Sequence, residues 1–561
     1  MSRPRGSGAS SAGGAASAPD GPGYRIGGAL SRATFFFLLV TVGGFAVAGA
    51  IASLPWRLSH DTPILIYLGW LIEHGQRVPY RDFFDMNLPG TYAIFAVAGR
   101  VLGHGDRAFR LLDLGLLAAL LGATAMALRP FGARVWTVGG ALFALQYLSL
   151  GPTHSLQREY LMLVPLALAM WTLSPAARLG PGTRAVLSGV WFGVAATIKP
   201  AFLIGLPAVL VYLHALARTD GEGAMERRAR APVIPLAVLG ALAPLALMLG
   251  ALALCRALGP FLDMAFHYWP LYARIGALHQ TIDDHERVRD MLWGVWAMGG
   301  RRWWLLPAAL GLARVSGAAG RRDPRRAFAW LLGGLMICYA LYPAAAGQFW
   351  PYHWLPFAYL VCLLGAMCLL DPRAGRWGMP LAFVAPLVLA GVFLLKGLPP
   401  RPLYDTLTGH AAPAPLRGRV DAMAAYLRTH TGPGDTVQPL DWTGGAVHAM
   451  LLARVPLATP FVYDFHFYHH VSRPYIRALR ERFVAALAAA RPRVIIWVET
   501  DKPWVSGEDT TRKFPALETF LADHYRIDAL GDGYVMLMRT DGAAPGAALP
   551  APVGPESGGN H

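Results

Sequence analysis

Charge is scarce in this chain. Only 15% of its 561 residues are charged, against roughly 25% in soluble domains. A shortfall of that size excludes an ordinary cytosolic protein. It equally excludes wholesale disorder, which needs high charge and low hydrophobicity. Cysteine is scarcer still: Cys255, Cys338, Cys362 and Cys368 are the whole complement, all in apolar stretches, with no CxxC pair. There is therefore no disulfide framework and no thiolate zinc site, and the four read as small buried hydrophobes. Lysine is nearly missing too, with four among 50 basic residues. No internal repeat stands out.

What the chain has instead is apolar length: 55% hydrophobic residues and a mean hydropathy of +0.39. A run over 33–55 is long enough to cross a bilayer, which takes about 20 residues, and exceeds the core of a cleaved signal peptide, so it reads as a retained anchor. Further apolar runs begin near Arg107, Arg134, Tyr160, Ala185, Ala201, Ala231, Trp303, Ala327, His353 and Met379. Together they predict about eleven spans, with a break at Lys199-Pro200, where proline disfavours helical continuation.

The net charge of +16 is placed accordingly. Arginines cluster before the first span and after every even-numbered one: Arg129 and Arg134; Arg178 and Arg184; Arg218, Arg227, Arg228 and Arg230; Arg314, Arg321, Arg322, Arg325 and Arg326; Arg373 and Arg376. By the positive-inside rule these loops are cytoplasmic, a pattern of membrane topology and not of nucleic-acid binding. The loops at 56–106, 151–159, 258–301 and 346–352, and everything after about Lys396, then lie outside.

The expected fold is a polytopic α-helical membrane protein, N-terminus inside and C-terminus outside, with a small extracytoplasmic α/β domain. Its parts are a disordered tail over 1–29, a transmembrane domain over 30–398, a Pro-rich linker over 399–416, an α/β domain over 417–541 and a disordered tail over 542–561. In the α/β domain, 421–430 has helical spacing, 494–499 is a short buried strand, 514–525 an amphipathic helix, and 525–539 two strands joined at Gly-Asp-Gly.

The first outer loop is the richest in chemistry. Asp61 sits at the membrane boundary, followed by an amphipathic helix, Gly75, then PYRDFFDMNLPG over 79–90 with Arg81, Asp82 and Asp85. Carboxylates at such a boundary are costly unless they serve something. One can act as general base on a hydroxyl or hold a divalent metal beside a phosphate. For Asp82 and Asp85 the plainer reading is a turn or cap in a solvated loop. A departing phosphate needs cations, and Arg81, Arg158, Lys199 and Arg274 lie on or near that side. Arg158 adjoins Glu159, so an internal ion pair is the competing reading; for Lys199 it is snorkelling to the interface. His267 lies in an aromatic-rich interfacial segment and is a candidate metal ligand with Asp61. Asp464, His466, His469 and His470 in FVYDFHFYHH read as an aromatic surface patch before a zinc site.

The order boundary Asp, amphipathic helix, Gly, Pro-Tyr-Arg-Asp-Phe, Pro, second amphipathic helix resembles the first external loop of GT-C glycosyltransferases. The nearest style is that of bacterial relatives of the dolichyl-phosphate-mannose protein mannosyltransferases and of the lipid A aminoarabinose transferases. QREYLMLVPLALAM (157–170) resembles the second external loop, with Glu159 as its acidic residue. GVWFGVAATIKPAFLIGLP (189–207) resembles the Gly-rich helix ending in a Lys. AGQFWPYHWLPFAYL (346–360) resembles the loop before a late span, with Tyr352, His353 and Pro356 at matching places.

The resemblance implies an inverting hexosyl- or pentosyltransferase of the bacterial inner membrane. It would move a sugar from a polyprenyl-phosphate donor to an envelope glycan, lipid or protein acceptor on the outer face. Asp61 takes the place of the catalytic acid residue, with Glu159 as a second. Arg158, Lys199, Arg81, Tyr352 and His353 would bind the donor phosphate. Many relatives carry an Asp-Glu pair where this chain has His60-Asp61, one acidic ligand short for a divalent ion. The competing classes are a transporter or flippase of lipid-linked sugar, which often shows paired broken helices where this chain has one break without a partner and which needs no outer α/β domain, and a glycan polymerase or ligase.

Overall fold

A computed structural model describes residues 22–219, 232–276, 281, 283–318, 323–347, 349–371, 378–399, 401–410, 417–498 and 505–540. Arg227, Arg228, Arg230, Arg321, Arg322, Arg373 and Arg376, and the tail predicted over 542–561, lie outside these residues. The early part of the molecule is a succession of helices: α1 (Pro22–Leu38), α2 (Gly44–Ala52), α3 (Asp61–Gly75), α4 (Pro89–Leu102), α5 (Asp106–Leu128), α6 (Ala133–Leu148), α7 (Arg158–Leu161), α8 (Leu163–Leu173), α9 (Pro181–Ile198), α10 (Leu206–Thr219) and α11 (Val233–Leu254). Proline at the first position suits the starts of α4 and α9, where no N–H partner is needed. Gln76 in the left-handed region stops α3, and Gly103 at φ 85° stops α4.

Helices stand at all the predicted span positions, but they are not all of membrane length. Among the described residues six are long and apolar enough to cross a bilayer: Arg25–Ala52, Asp106–Phe131, Pro200–Arg218, Val233–Leu254, Pro351–Leu369 and Met379–Lys396. The others, α6, α8, α9, Leu305–Ala318 and Pro324–Ala340, run from 11 to 18 residues. The six also differ in surroundings. Leu247, Leu254 and Leu395 are 75%, 88% and 79% exposed on two of these helices, Val233–Leu254 and Met379–Lys396, the outward apolar surface expected against lipid. The Pro351–Leu369 window is wholly buried inside the protein.

Two predicted boundaries move. Helix α1 begins at Pro22, inside the stretch read as tail, because small residues let it lie close: Gly23 meets the Met379 side chain and Phe37 meets Phe393 at 6.3 Å. The Pro-rich linker holds a helix, Arg401–Leu407, whose Leu403 is buried beside Gly49. Tertiary packing overrides weak local propensity in both. Of the cysteines, Cys362 and Cys368 are buried as expected, whereas Cys255 is exposed past the end of α11.

The Gly-rich helix α9 has a packing reason for its composition. A Cβ at Gly189 would stand 2.0 Å from the Ala237 carbonyl oxygen, and one at Gly193 would stand 2.3 Å from that of Ala241. The two backbones of α9 and α11 approach directly, as small-residue helix pairs do. Pro200 then forces Lys199 out of helical geometry, to φ −154° and ψ 115°, and so aims its side chain away from the helix.

The C-terminal region forms a four-stranded sheet of β1 (Val437–Leu440), β2 (Val494–Val498), β3 (Tyr525–Gly531) and β4 (Tyr534–Arg539) in the order β1-β2-β4-β3. β1 and β2 are parallel, Val437 opposite Val494, and β4 runs antiparallel to both β2 and β3. Arg417–His430, Ala446–Ala453, Pro474–Ala490 and Pro515–His524 supply the helices. This unit sits directly on the first loop. The Phe84 N–H donates to the Pro460 carbonyl at 2.7 Å, the Tyr67 hydroxyl to the Val455 carbonyl at 2.8 Å, and Arg57 clamps Asp421 with two bonds of 2.9 and 3.0 Å.

Candidate active site

Asp61 is the first residue of α3 and Arg158 the first of α7, and they face each other at 3.9 Å. Two anchors hold this alignment. The Thr62 hydroxyl, one residue past Asp61, donates to the Ser155 carbonyl at 2.7 Å. Behind it a sealed network ties Arg110 to Asp113, Ser53 and Ser155, while the Tyr147 hydroxyl donates to Asp113 at 2.5 Å and accepts from the Leu156 N–H at 3.2 Å. Both loops enter the site through strained backbone. His60 has φ 63° and Leu156 φ 56°, conformations costing on the order of 1–3 kcal/mol that persist where the surroundings dictate them.

The pair opens into a pocket of about 420 Å³ of open space, whose polar lining is Asp61, Asp85, Asn87 and Arg158 and whose aromatic lining is Tyr272, Trp350, Tyr352, Trp442 and Tyr463. Arg158 also donates to the Asn87 side-chain oxygen, and its Nε is buried with no hydrogen-bond partner. The His60 ring sits 3.0 Å from Asp61. Burial works against protonation of His60, but the Asp61 charge and hydrogen bond outweigh it and raise its pKa above the ordinary histidine value.

Asp85 is fully buried, not the solvated turn residue expected. It accepts from the Asn87 N–H at 2.8 Å, the Asn87 side chain at 2.6 Å, Tyr92 at 2.7 Å and Tyr463 at 3.3 Å. Burial raises its pKa in spite of these donors. Asp82 does fit the plain reading: it caps the Val78 N–H at 2.8 Å and pairs with Arg81 at 2.8 Å. The guanidinium beside it holds the Asp82 carboxyl below its usual range. Neither Arg81 nor Asp82 lines the pocket. The exposed Arg81, expected on the donor phosphate, turns instead to Asp82 and the Cys255 carbonyl.

Glu159, expected beside Asp61, points the other way. Its Oε1 takes Lys199 at 2.6 Å, His353 at 3.1 Å and the Tyr342 hydroxyl at 2.9 Å, and the Lys199 ammonium meets His353 Nε2 at 2.8 Å. The carboxylate and His353 are fully buried, and neither they nor Lys199 line the pocket. Glu159, expected as a second catalytic residue, and Lys199 and His353, expected on the donor phosphate, are thus brought together with one another and not onto the pocket lining. The three form a matched layer behind Arg158 and Tyr352. Tyr352 does line the pocket, stacked edge-on against His353 at 4.9 Å.

His267, expected as a metal ligand with Asp61, is not brought to Asp61. It is exposed, sits 3.1 Å from the Asp263 carboxylate and stacks on Tyr475 at 5.4 Å, and it is absent from the pocket lining. The pocket carboxylates are engaged by His60, Arg158, Asn87, Tyr92 and Tyr463, a donor set that does not fit a divalent ion. His466, His469 and His470 are buried rather than a surface patch. They form a seam between the sheet unit and the 264–272 segment, with His466 Nδ1 2.6 Å from the Tyr268 hydroxyl and His470 2.9 Å from the Leu271 carbonyl. Burial pushes His466 down to about 3.

Sequence reasoning missed Asn87, Tyr342, Trp442 and Tyr463. Asn87 lay inside the motif already quoted, two residues from Asp85. Trp442 and Tyr463 lie in the C-terminal unit, in DWTGG and FVYDF, where only a second aromatic-acid cluster beside turn glycines marks them.

No protein-family model and no curated protein matches the chain. Solved structures do. ArnT from Cupriavidus metallidurans bound to undecaprenyl phosphate aligns with a TM-score of 0.53 at 15% identity, covering 91% of this chain and 99% of that one. The apo oligosaccharyltransferase of Archaeoglobus fulgidus aligns at 0.44 and 12% identity over 90% of this chain and 75% of that one. The arabinofuranosyltransferase AftD from Mycobacteria aligns at 0.44 and 16% over 88% and 41%. The chain therefore shares the fold seen in ArnT over 91% of its length.

Proposed function

We propose that the chain is a membrane glycosyltransferase that moves a sugar from a polyprenyl-phosphate donor to an acceptor hydroxyl with inversion. The observation that carries this reading is the Asp61–Arg158 pair, a carboxylate and a guanidinium 3.9 Å apart on one aromatic-lined pocket. ArnT, whose structure holds undecaprenyl phosphate, supports the donor class. In the step, the acceptor oxygen attacks the anomeric carbon from the face opposite the phosphate. Its proton passes to Asp61, and the bond from the anomeric carbon to the phosphate oxygen breaks with its electron pair on the phosphate. Arg158 receives the growing charge, bidentately if its buried Nε joins the contact. Glu159, Lys199, His353 and Tyr342 hold Arg158 and Tyr352 in place from behind. Trp350, Trp442 and Tyr272 offer flat faces to sugar rings.

The pocket would open on the outer face of a bacterial inner membrane, with the sheet unit outside, as the arginine distribution supports. The acceptor would be an envelope glycan, lipid or protein. The test is purified full-length protein with a polyprenyl-phosphate sugar and membrane acceptors. Release of polyprenyl phosphate, lost in Asp61→Asn with folding intact, is the expected result. Release of diphosphate would indicate a ligase, and movement of intact donor without cleavage a transporter; either overturns the reading, as does full transfer by Asp61→Asn.

A further inference from the structure

The far end of α3 carries a second cluster that the reaction does not use. Glu73 and His74 lie in its last turn, and His104 stands between α4 and α5, flanked by Gly103 and Gly105. One ligand atom from each of these three residues lies within 4.8 Å of the others. Twelve residues of helix separate Glu73 from Asp61, about 18 Å at 1.5 Å per residue, so this cluster is remote from the pocket.

The geometry around His104 is built, not incidental. Glu73 Oε2 and His104 Nε2 approach to 3.3 Å. Yet both atoms are shut off from solvent and neither makes a hydrogen bond. Room for the imidazole comes from Gly99, where a Cβ would stand 2.1 Å from His104 Nε2. His74 meets the His104 ring edge-on at 5.5 Å and is backed by Trp70, stacked at 5.6 Å. Ligand atoms on a tetrahedral ion with bonds of about 2.1 Å lie roughly 3.4 Å apart, close to the spacing already present between Glu73 and His104.

We propose that Glu73, His74 and His104 bind one divalent transition-metal ion of the zinc class, with water in the remaining position. Two imidazoles and a carboxylate select zinc-class ions over magnesium or calcium, which prefer all-oxygen sets. The ion would staple the end of α3 to the α4–α5 connection and give metal bonds to two atoms that now meet as an ion pair without a hydrogen bond. This site is independent of the transfer reaction proposed above and stands whether or not that reading holds.

The test uses the full chain in detergent, stripped with a chelator and re-equilibrated with zinc alone. The expected result is one more equivalent of zinc retained by the wild type than by the His74→Gln/His104→Gln variant, with zinc raising the Tm of the wild type only. Gly99→Ala keeps every ligand but crowds the ring, and is expected to weaken zinc binding at least tenfold. Cobalt(II) in place of zinc should give the visible absorption of a tetrahedral site, lost in the double variant. Equal zinc retention and equal Tm shifts in wild type and double variant would overturn the proposal and leave Glu73–His104 an ordinary ion pair.

Discussion

Arg158 and Glu159 are neighbours in the chain and belong to opposite worlds. Arg158 lines the pocket and faces Asp61 at 3.9 Å, too long for a tight bond. Glu159 is sealed, with one oxygen taking an ammonium, an imidazole and a hydroxyl at 2.6 to 3.1 Å. The short α7 turn sends the two side chains to different sides. The difference separates two uses of charge. A loosely matched charge on a pocket remains available to a substrate, whereas a tightly matched buried one serves to keep other groups where they are. If this division is right, substitutions on the two sides should fail in different ways.

The largest effect is expected on the pocket side. Asp61→Asn should lower transfer by about 10²–10⁴-fold, the usual worth of a general base, with the Tm unchanged at a pH above the raised His60 pKa, where the His60–Asp61 pair no longer adds stability. Arg158→Gln should cost on the order of 10²-fold in transfer, as loss of a charge-stabilising donor does, again with the fold intact. Glu159→Gln should do the reverse. It leaves Lys199 without its partner, and breaking a buried pair costs about 3–5 kcal/mol, so thermal unfolding should come first and loss of activity with it. A stable but inactive Glu159→Gln protein would dissolve the comparison and return Glu159 to the reacting atoms.

How far these roles could be read beforehand follows the same line. Asp61, Arg158 and Tyr352 stood out because charges and aromatics at membrane boundaries are few in a chain with so little charge, and the pocket contains all three. Glu159, Lys199 and His353 stood out for that same reason, yet they lie off the pocket lining and pair with one another. Scarcity marks a charge as important without saying whether it faces a substrate or a partner. Only the turn at Arg158–Leu161 and the break at Pro200 decide that, and both are matters of a few torsion angles. The aromatic wall from Trp442 and Tyr463 was illegible because it arises from contact between segments more than 350 residues apart in sequence, such as Asp85 and Tyr463, 378 residues apart. Span positions were legible from hydropathy, but not which apolar helix would face lipid and which, like Pro351–Leu369, would be buried in protein.

Two smaller effects sharpen the pocket side. Trp442→Ala removes an aromatic face contributed by the C-terminal unit, and should raise the acceptor KM up to about tenfold, the worth of one aromatic contact, with donor binding little changed. The smallest concerns pH. The folded-state pKa of His60 is raised by Asp61. The His60–Asp61 pair therefore adds stability that is fully present below the ordinary histidine pKa of about 6.5 and is lost as pH rises through the raised value. Over that window the base is released from its cation, so transfer should climb with pH in the wild type. His60→Gln should flatten the climb, measured as kcat/KM against pH; an unchanged profile would assign the titration elsewhere.

The seam between the first loop and the sheet unit, Phe84 on Pro460 and Tyr463 on Asp85, also sets a schedule. Asp61 and Arg158 are made and inserted when less than a third of the chain exists, while Trp442 and Tyr463 emerge in its last quarter. For most of its synthesis the molecule holds a reactive pair without a wall. The pocket closes only when the final unit folds onto it, so a half-made chain carries the charges but not the site.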